Sequence, residues 1–357
     1  YWHYNALVVD YAQSASINLS DPYLGSGQTI LYRLWLAFWT IPQSLVISFA
    51  KMPILTSFHI ISIYLMPLLS LVVFDVTRRL NTPQFFSLLS ITLTSYLLAI
   101  NLDLEQFGFY LVIALAQDKD MTSLILVSLA FIATLDYLRA PTRLNLFLSC
   151  ITIMSVMLGH PTIYFYACVV IGIMTLMYVT LKSHRWQQIL IVAVICGVWM
   201  TVPFVMRTWL EPGGWGHVVT VEEANRQIVV TDQTKRTNIG KNDTFQGINP
   251  SLISDNTYLV LIAGFVMSII YFRQHELLYV ITPFGLLFLA ALHPTTSIVL
   301  GWFVTFRQLW RIPWVIPYGV IAAMTLWLIC QIIVQLVPRL KNLMPASMIV
   351  ISSILFI

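Results

Sequence analysis

Charge is what this sequence has least of: Asp, Glu, Lys and Arg make up 10% of it, where soluble domains carry about 25%. With 58% hydrophobic residues and a mean hydropathy of +0.81, no soluble packing arrangement keeps the apolar surface away from water. A soluble enzyme, a nucleic-acid binder and a disordered chain are excluded together. Cysteine is scarce as well. Cys150, Cys168, Cys196 and Cys330 all fall inside apolar runs, which leaves neither a disulfide framework nor metal-ligand spacing. There is no Walker loop, no G-x-G-x-x-G, no G-x-S-x-G and no His-x-x-x-His or Glu-x-x-His pair; these absences argue against an ATP-driven pump and a triad hydrolase. No repeat of fixed period is present. The net charge of +4 speaks to topology rather than to a polyanionic partner. The chain opens without Met and stops inside the apolar run Met348–Ile357, so we expect a piece of a longer protein, in which the lack of a signal peptide is uninformative.

What is present is apolar length. A helix crosses ~30 Å of hydrocarbon with ~20 mostly apolar residues, and runs of that kind lie at 54–75, 83–101, 122–138, 143–159, 162–181, 188–206, 256–272, 277–293, 313–337 and 343–357. The expected fold class is all-α, a polytopic transmembrane helix bundle. Residues 1–53 form an external first loop with interfacial helices, 54–206 a helix bundle, 207–255 an external loop, and 256–357 further spans with the last one truncated. Arg33, Pro42 and Gln43 make 31–41 an amphipathic interfacial helix followed by a shorter apolar segment. The short run 104–117 reads as a second segment that lies on or re-enters the membrane.

Short loops rich in Lys and Arg face the cytoplasm. One set of connections holds Arg78, Arg79, Arg139, Arg143, Lys182, Arg185, Arg273, Arg339 and Lys341; the alternate set holds Asp103, Glu105, Asp118, Asp120, the turns at His160 and His293, and the 207–255 loop. The second face is expected to be external. The 207–255 loop opens with the turn-rich run from Glu211 to His217, and a short hairpin or strand is expected within 218–231; it serves as a lid over the bundle or as an ordinary solvated loop.

Three groups of residues stand out for chemistry. Arg307 and Arg311, four apart in a run with Trp302, Phe303, Phe306, Trp310 and Trp314, are expected to share one face of a helical turn. Positive charge there runs against the topology bias, and a guanidinium fork matches phosphate; the alternative is arginines snorkelling to lipid headgroups. His3, Asp10 and Asp21 lie in the first external loop, where a carboxylate is suited to deprotonate an acceptor hydroxyl, or is simply a solvated acid. His160 and His293, each followed by Pro at a span start, are placed to bind a sugar hydroxyl or a phosphate oxygen, or merely to end a span. Asn18-Leu19-Ser20 and Asn242-Asp243-Thr244 match the glycosylation acceptor pattern, which matters only in a secretory pathway.

An external acidic first loop with interfacial helices, many short spans, His-Pro at external span starts and Arg-x-x-x-Arg followed by Ile-Pro together resemble the GT-C superfamily of polytopic glycosyltransferases. The resemblance covers nearly the whole chain in organisation. It implies inverting transfer of a sugar from a polyprenyl-phosphate carrier to a glycan, lipid or protein acceptor at the external face of a bacterial plasma membrane. A divalent cation, Mg2+ or Mn2+, assists at the phosphate in many such enzymes, and no residue here is assigned to hold it. It also implies a base in the first external loop just behind a first span. Here that span would precede Tyr1, and Trp2-His3-Tyr4-Asn5 resembles residues that follow the family's acid, so the base is Asp10, Asp21 or an acid upstream. Arg307 and Arg311, with His3, His160 and His293, are then the substrate-binding set. The competing reading is a transporter or flippase of a lipid-linked or amphiphilic substrate, which calls for mid-span charges or broken helices; a third is a scaffold subunit of an envelope complex.

Overall fold

A computed structural model describes residues 8–10, 12–13, 39–51, 53–100, 115, 118–205, 237–239, 245–270, 276–304 and 306–336. The expectations on His3, Asp21, 31–38, 104–114, 218–231 and 343–357 lie outside the described residues. So does the side chain of Arg307.

The described chain is an all-α bundle with one small hairpin. Its helices are α1 (Thr40–Ala50), α2 (Ile54–Arg79), α3 (Gln84–Ala99), α4 (Asp118–Met121), α5 (Val127–Arg139), α6 (Arg143–Gly159), α7 (Pro161–Tyr178), α8 (Gln187–Val205), α9 (Asp255–Ile270), α10 (Leu277–Leu292), α11 (Pro294–Val304) and α12 (Tyr318–Leu336). The strands β1 (Thr237–Ile239) and β2 (Phe245–Ile248) pair antiparallel, within the 207–255 loop but after the stretch where a hairpin was expected. Four described helices are long and apolar enough to cross a membrane: Ile60–Arg79, Lys119–Arg139, Pro161–Ser183 and Tyr318–Leu336. A fifth span forms if α10 and the first part of α11, bent by 99° at their junction, count as one. Helices α3, α6, α8 and α9 are apolar but shorter. Large apolar side chains point outward, Phe49 at 85% exposure and Tyr64 at 75% among them, as a chain solvated by lipid permits and one solvated by water does not. This is a multi-pass membrane protein.

Two of the long spans are not uniform α-helix. Between α4 and α5 the residues Thr122–Leu126 form a π turn, and Val127 N–H donates to Thr122 O; α7 likewise continues into a π turn at Val179–Ser183. The first has a packing cause. A Cβ on Gly159 would stand 2.2 Å from Thr122 Oγ1 and 3.2 Å from Leu126 Cδ1, so α6 reaches the π turn only because residue 159 is glycine. Glycine acts similarly where α12 meets α3: a Cβ on Gly319 would lie 1.9 Å from Thr94 Oγ1 and 2.6 Å from Thr94 N. Small residues let helix backbones approach in a membrane, where apolar burial alone does not drive helices together. Hydroxyl pairs add polar contacts between helices. Thr77 Oγ1 donates to Ser90 Oγ (3.0 Å) between α2 and α3, and Thr134 and Ser149 pair at 2.9 Å between α5 and α6.

One end of the bundle is held by an ion network. Arg79 Nε meets Asp75 Oδ2 at 2.7 Å and its Nη1 reaches Asp136. Arg139 Nη2 lies 3.1 Å from Glu276 Oε2, and Lys182 Nζ 3.6 Å from Glu276 Oε1. Asn81, in a left-handed turn at φ 59°, adds a 3.4 Å bond from Nδ2 to Glu276 Oε1. The nearly buried Glu276 carboxylate thus ties α2, α5, the π turn after α7, and α10 together.

Candidate functional site

The opposite end holds Lys119, Asp120 and Arg311. Helix α7 starts with Pro161 in its first turn, where proline's fixed φ and missing N–H cost nothing. This sets His160 as the extended residue between α6 and α7, its N–H donating to Val156 O and its carbonyl accepting from Tyr164 N–H. One turn further, the fully buried Tyr166 donates its hydroxyl to Gln308 O at 2.9 Å. That bond fixes the segment Phe306–Val315 against α7.

Phe306–Val315 winds as a 3-10 helix with Pro313 inside it, not as the start of an α-helical span; α12 begins only at Tyr318. This corrects the expectation that Arg307 and Arg311 share a face. At 3.0 residues per turn, four residues leave them about 120° apart around the axis and ~8 Å along it. The partner that the structure does bring to Arg311 is Lys119. The Arg311 guanidinium carbon stands 5.5 Å from the Trp310 ring centre and 5.7 Å from that of Trp314, and Lys119 Nζ stands 5.8 Å from Trp314. Trp310 and Trp314 themselves pack edge to face at 4.8 Å. A cation over an indole gains roughly 0.5–2 kcal/mol, more when desolvated.

His160 belongs to the same cluster. Burial holds its pKa well below the usual imidazole range, and the charges of Arg311 and Lys119 depress it further. The ring is therefore neutral at pH 7, one nitrogen donating and the other accepting. Its Nδ1 is buried without a hydrogen-bond partner, as are Arg311 Nε, Gln308 Oε1 and Thr122 Oγ1. Each such atom costs about 1–3 kcal/mol if nothing pairs with it, and all four sit on elements that meet here. Lys119 and Asp120, both buried, bring the charges of α4 into the same end.

Of the residues singled out from the sequence, His160 and Arg311 come together. His293 stands exposed at the α10–α11 break, and its side chain makes no hydrogen bond or ion pair among the described residues. Asp10 lies on a helical stretch at 8–10, next to a segment tied to α1 through Ser48 Oγ donating to Ala12 O. Sequence reasoning missed Lys119, Asp120, Thr122 and Gln308. A signal for the first two was present: Asp118-Lys119-Asp120 at the head of a strongly apolar run is a costly placement for charge.

Neither a protein-family model, nor a curated protein, nor a solved structure matches the chain. The site's chemistry therefore rests on its own residues. No group of three or more His, Cys, Asp or Glu among the described residues is placed to hold a metal ion, so the donor set here does not fit a protein-held divalent cation. What the described residues supply is two cations on a dry aromatic surface, the buried carboxylate of Asp120, a neutral imidazole and a side-chain amide. This is a set suited to an anion with hydroxyl groups beside it.

Proposed function

We propose that the chain is a membrane glycosyltransferase that moves a sugar from a polyprenyl-phosphate carrier to a glycan, lipid or protein acceptor at the external membrane face. The observation that carries this reading is the convergence of Lys119 and Arg311 on Trp314 beside the neutral His160. Cations at a dry site stabilise the negative charge that develops on a departing phosphate more than they do in water. His160, unable to hold a proton there at pH 7, serves as a hydrogen-bonding group to the sugar or to a phosphate oxygen rather than as the base. The base is an acid: Asp10 or Asp21 from the first loop, or Asp120, which is buried next to Lys119.

The test is sugar transfer from a labelled polyprenyl-phosphate donor by the full chain in proteoliposomes, with Asp10→Asn, Asp21→Asn and Asp120→Asn compared. Loss of a general base lowers turnover ~100-fold or more; one of the three doing so with donor binding intact identifies the base. Wild-type protein that binds donor but never cleaves its glycosyl bond removes the transferase reading. The break of 99° between α10 and α11 favours a second reading, a flippase, because broken helices line many transport sites. Intact donor appearing in the opposite leaflet in the same vesicles is its signature.

A further inference from the structure

We infer, resting on the transferase reading above, that Gln308 is a specificity-determining residue. Its side-chain oxygen accepts a hydrogen bond from a sugar hydroxyl, so that the site holds the sugar-loaded carrier in preference to the bare carrier phosphate. The placement of Gln308 follows from the winding of its segment. In a 3-10 helix side chains three apart eclipse one another, which puts Gln308, Arg311 and Trp314 in one line along Phe306–Val315. The Arg311 guanidinium carbon standing 5.7 Å from the Trp314 ring centre is one step of that line, and Gln308 is the next step in the other direction. Tyr166 anchors it through the 2.9 Å bond to the Gln308 carbonyl. At 4% exposure Gln308 is shut away from bulk solvent.

The buried atoms without partners here differ in what they require. Arg311 Nε is a donor, and a phosphate oxygen answers it. Gln308 Oε1 is an acceptor, and a phosphate oxygen set against it would only bring lone pairs together. It requires an O–H or an N–H. Thr122 Oγ1, on the π turn that packs against the 3-10 segment, and His160 Nδ1 serve in either sense. A phosphate monoester beside Lys119 and Arg311 is held fully ionised by the two cations, with no proton to offer. The set is therefore completed by one molecule that carries negative charge and a hydroxyl together, which a glycosyl phosphate does and the bare carrier phosphate does not.

An unanswered acceptor matters more in this place than on a surface. A ligand that fills the site displaces the water Oε1 could otherwise bond, and a buried acceptor left without a donor weakens binding by the hydration it has lost. A sugar hydroxyl restores that bond. Turnover has a direction as a result. Once the sugar has been transferred, the carrier phosphate is left beside an orphaned Oε1, and the spent carrier leaves more readily than the loaded one.

The experiment is equilibrium binding to the full chain in proteoliposomes. The probes are a short isoprenyl phosphate, the same phosphate carrying glucose, mannose or galactose, and the analogues of each sugar that lack one hydroxyl. The wild type is expected to hold at least one sugar-loaded probe ~10- to 100-fold more tightly than the bare one, and one deoxygenation should remove most of that gap. Gln308→Met, apolar and of similar length, should close the gap and be indifferent to that deoxygenation, because residue and hydroxyl share one bond. No gap for any of the three sugars, a gap that survives Gln308→Met, or an equal loss of bare and loaded probes in that variant overturns the assignment. If Gln308→Met melts early, the deoxy series on the wild type decides: no single deoxygenation costing ~10-fold overturns it. The expected pattern without sugar transfer leaves Gln308 in this role and removes the transferase reading, whereas transfer without the gap does the reverse.

Discussion

Lys119 Nζ and the Arg311 guanidinium carbon approach one indole, that of Trp314, to 5.8 and 5.7 Å of its centre. Neither cation is a sequence neighbour of the other, so their meeting is a product of the fold. If the pair holds a phosphate, its members act together. Lys119→Gln and Arg311→Lys should each weaken isoprenyl-phosphate binding by ~10- to 100-fold, the range for hydrogen bonds to charged groups. The double variant should lose less than the product of the two, because residues sharing one ligand couple. Binding measured in one lipid composition checks this, and strictly multiplicative losses mean two independent sites.

His160 gives the protein an acid sensitivity with a definite sign. Its folded pKa lies below its ordinary unfolded value of about 6.5. As pH falls through that value the unfolded chain takes up a proton that the folded chain refuses, so stability present above it is lost below it. Thermal melts from pH 8 to pH 5 should show the wild type losing stability by up to ~1.4 kcal/mol per pH unit from this group. His160→Gln, which cannot titrate, should be flatter across the same range. Parallel pH profiles would mean that the folded chain takes up this proton as readily as the unfolded chain does.

Gly319→Ala should be more damaging than Gly159→Ala. The added methyl at 319 meets Thr94 N at 2.6 Å and Ser90 O at 2.7 Å, both backbone atoms, whereas the one at 159 meets side-chain atoms of Thr122 and Leu126. A threonine rotamer can yield; a helix backbone yields only by separating α3 from α12. Overpacking costs typically ~1–3 kcal/mol, and chemical unfolding in detergent should place Gly319→Ala at the upper end and Gly159→Ala at the lower. Gly159→Ala should also lower lipid-phosphate binding, because its strain falls on the turn just after Lys119.

At the other end, Glu276→Gln should cost about 2 kcal/mol of stability, as it removes a nearly buried carboxylate from Arg139 and Lys182. Lys182→Ala should cost under ~1 kcal/mol, since Lys182 is the more exposed partner and exposed pairs contribute little. Both variants should retain lipid-phosphate binding. Equal losses in the two would show that the lysine, not the arginine, dominates the pair.

Much of the bundle is legible in the sequence because membrane residence is written in composition. The runs at 143–159 and 277–293 coincide closely with α6 and α10, with His160-Pro161 and His293-Pro294 marking where helices restart. What composition does not encode is the hydrogen-bond register within a helix. Whether Thr122 turns as π and Phe306 to Val315 as 3-10 depends on contacts from elsewhere in the chain, Gly159 against Thr122 in one case and Tyr166 holding Gln308 O in the other. The same-face expectation for Arg307 and Arg311 failed on this point, having assumed α geometry. Lys119 between two aspartates resembles a solvated loop, and although its place at the head of an apolar run marks it as a costly charge, its burial against Trp314 is seen only in the fold.

The π turn at Thr122–Leu126 also fixes the phase between the two ends of one span. Asp136 and Arg139 face the ion network around Arg79 and Glu276, while Lys119, at the other end of the same continuous helix, faces Trp314. An α-helix advances ~100° per residue, and a π turn holds one residue more than regular α winding would place there. Removing one residue there would restore α winding with both ends still in phase, whereas winding all of its residues as regular α would swing Lys119 by about that angle relative to Arg139. The helix would remain, with its composition and length nearly unchanged, yet its two functional faces would no longer be usable at once.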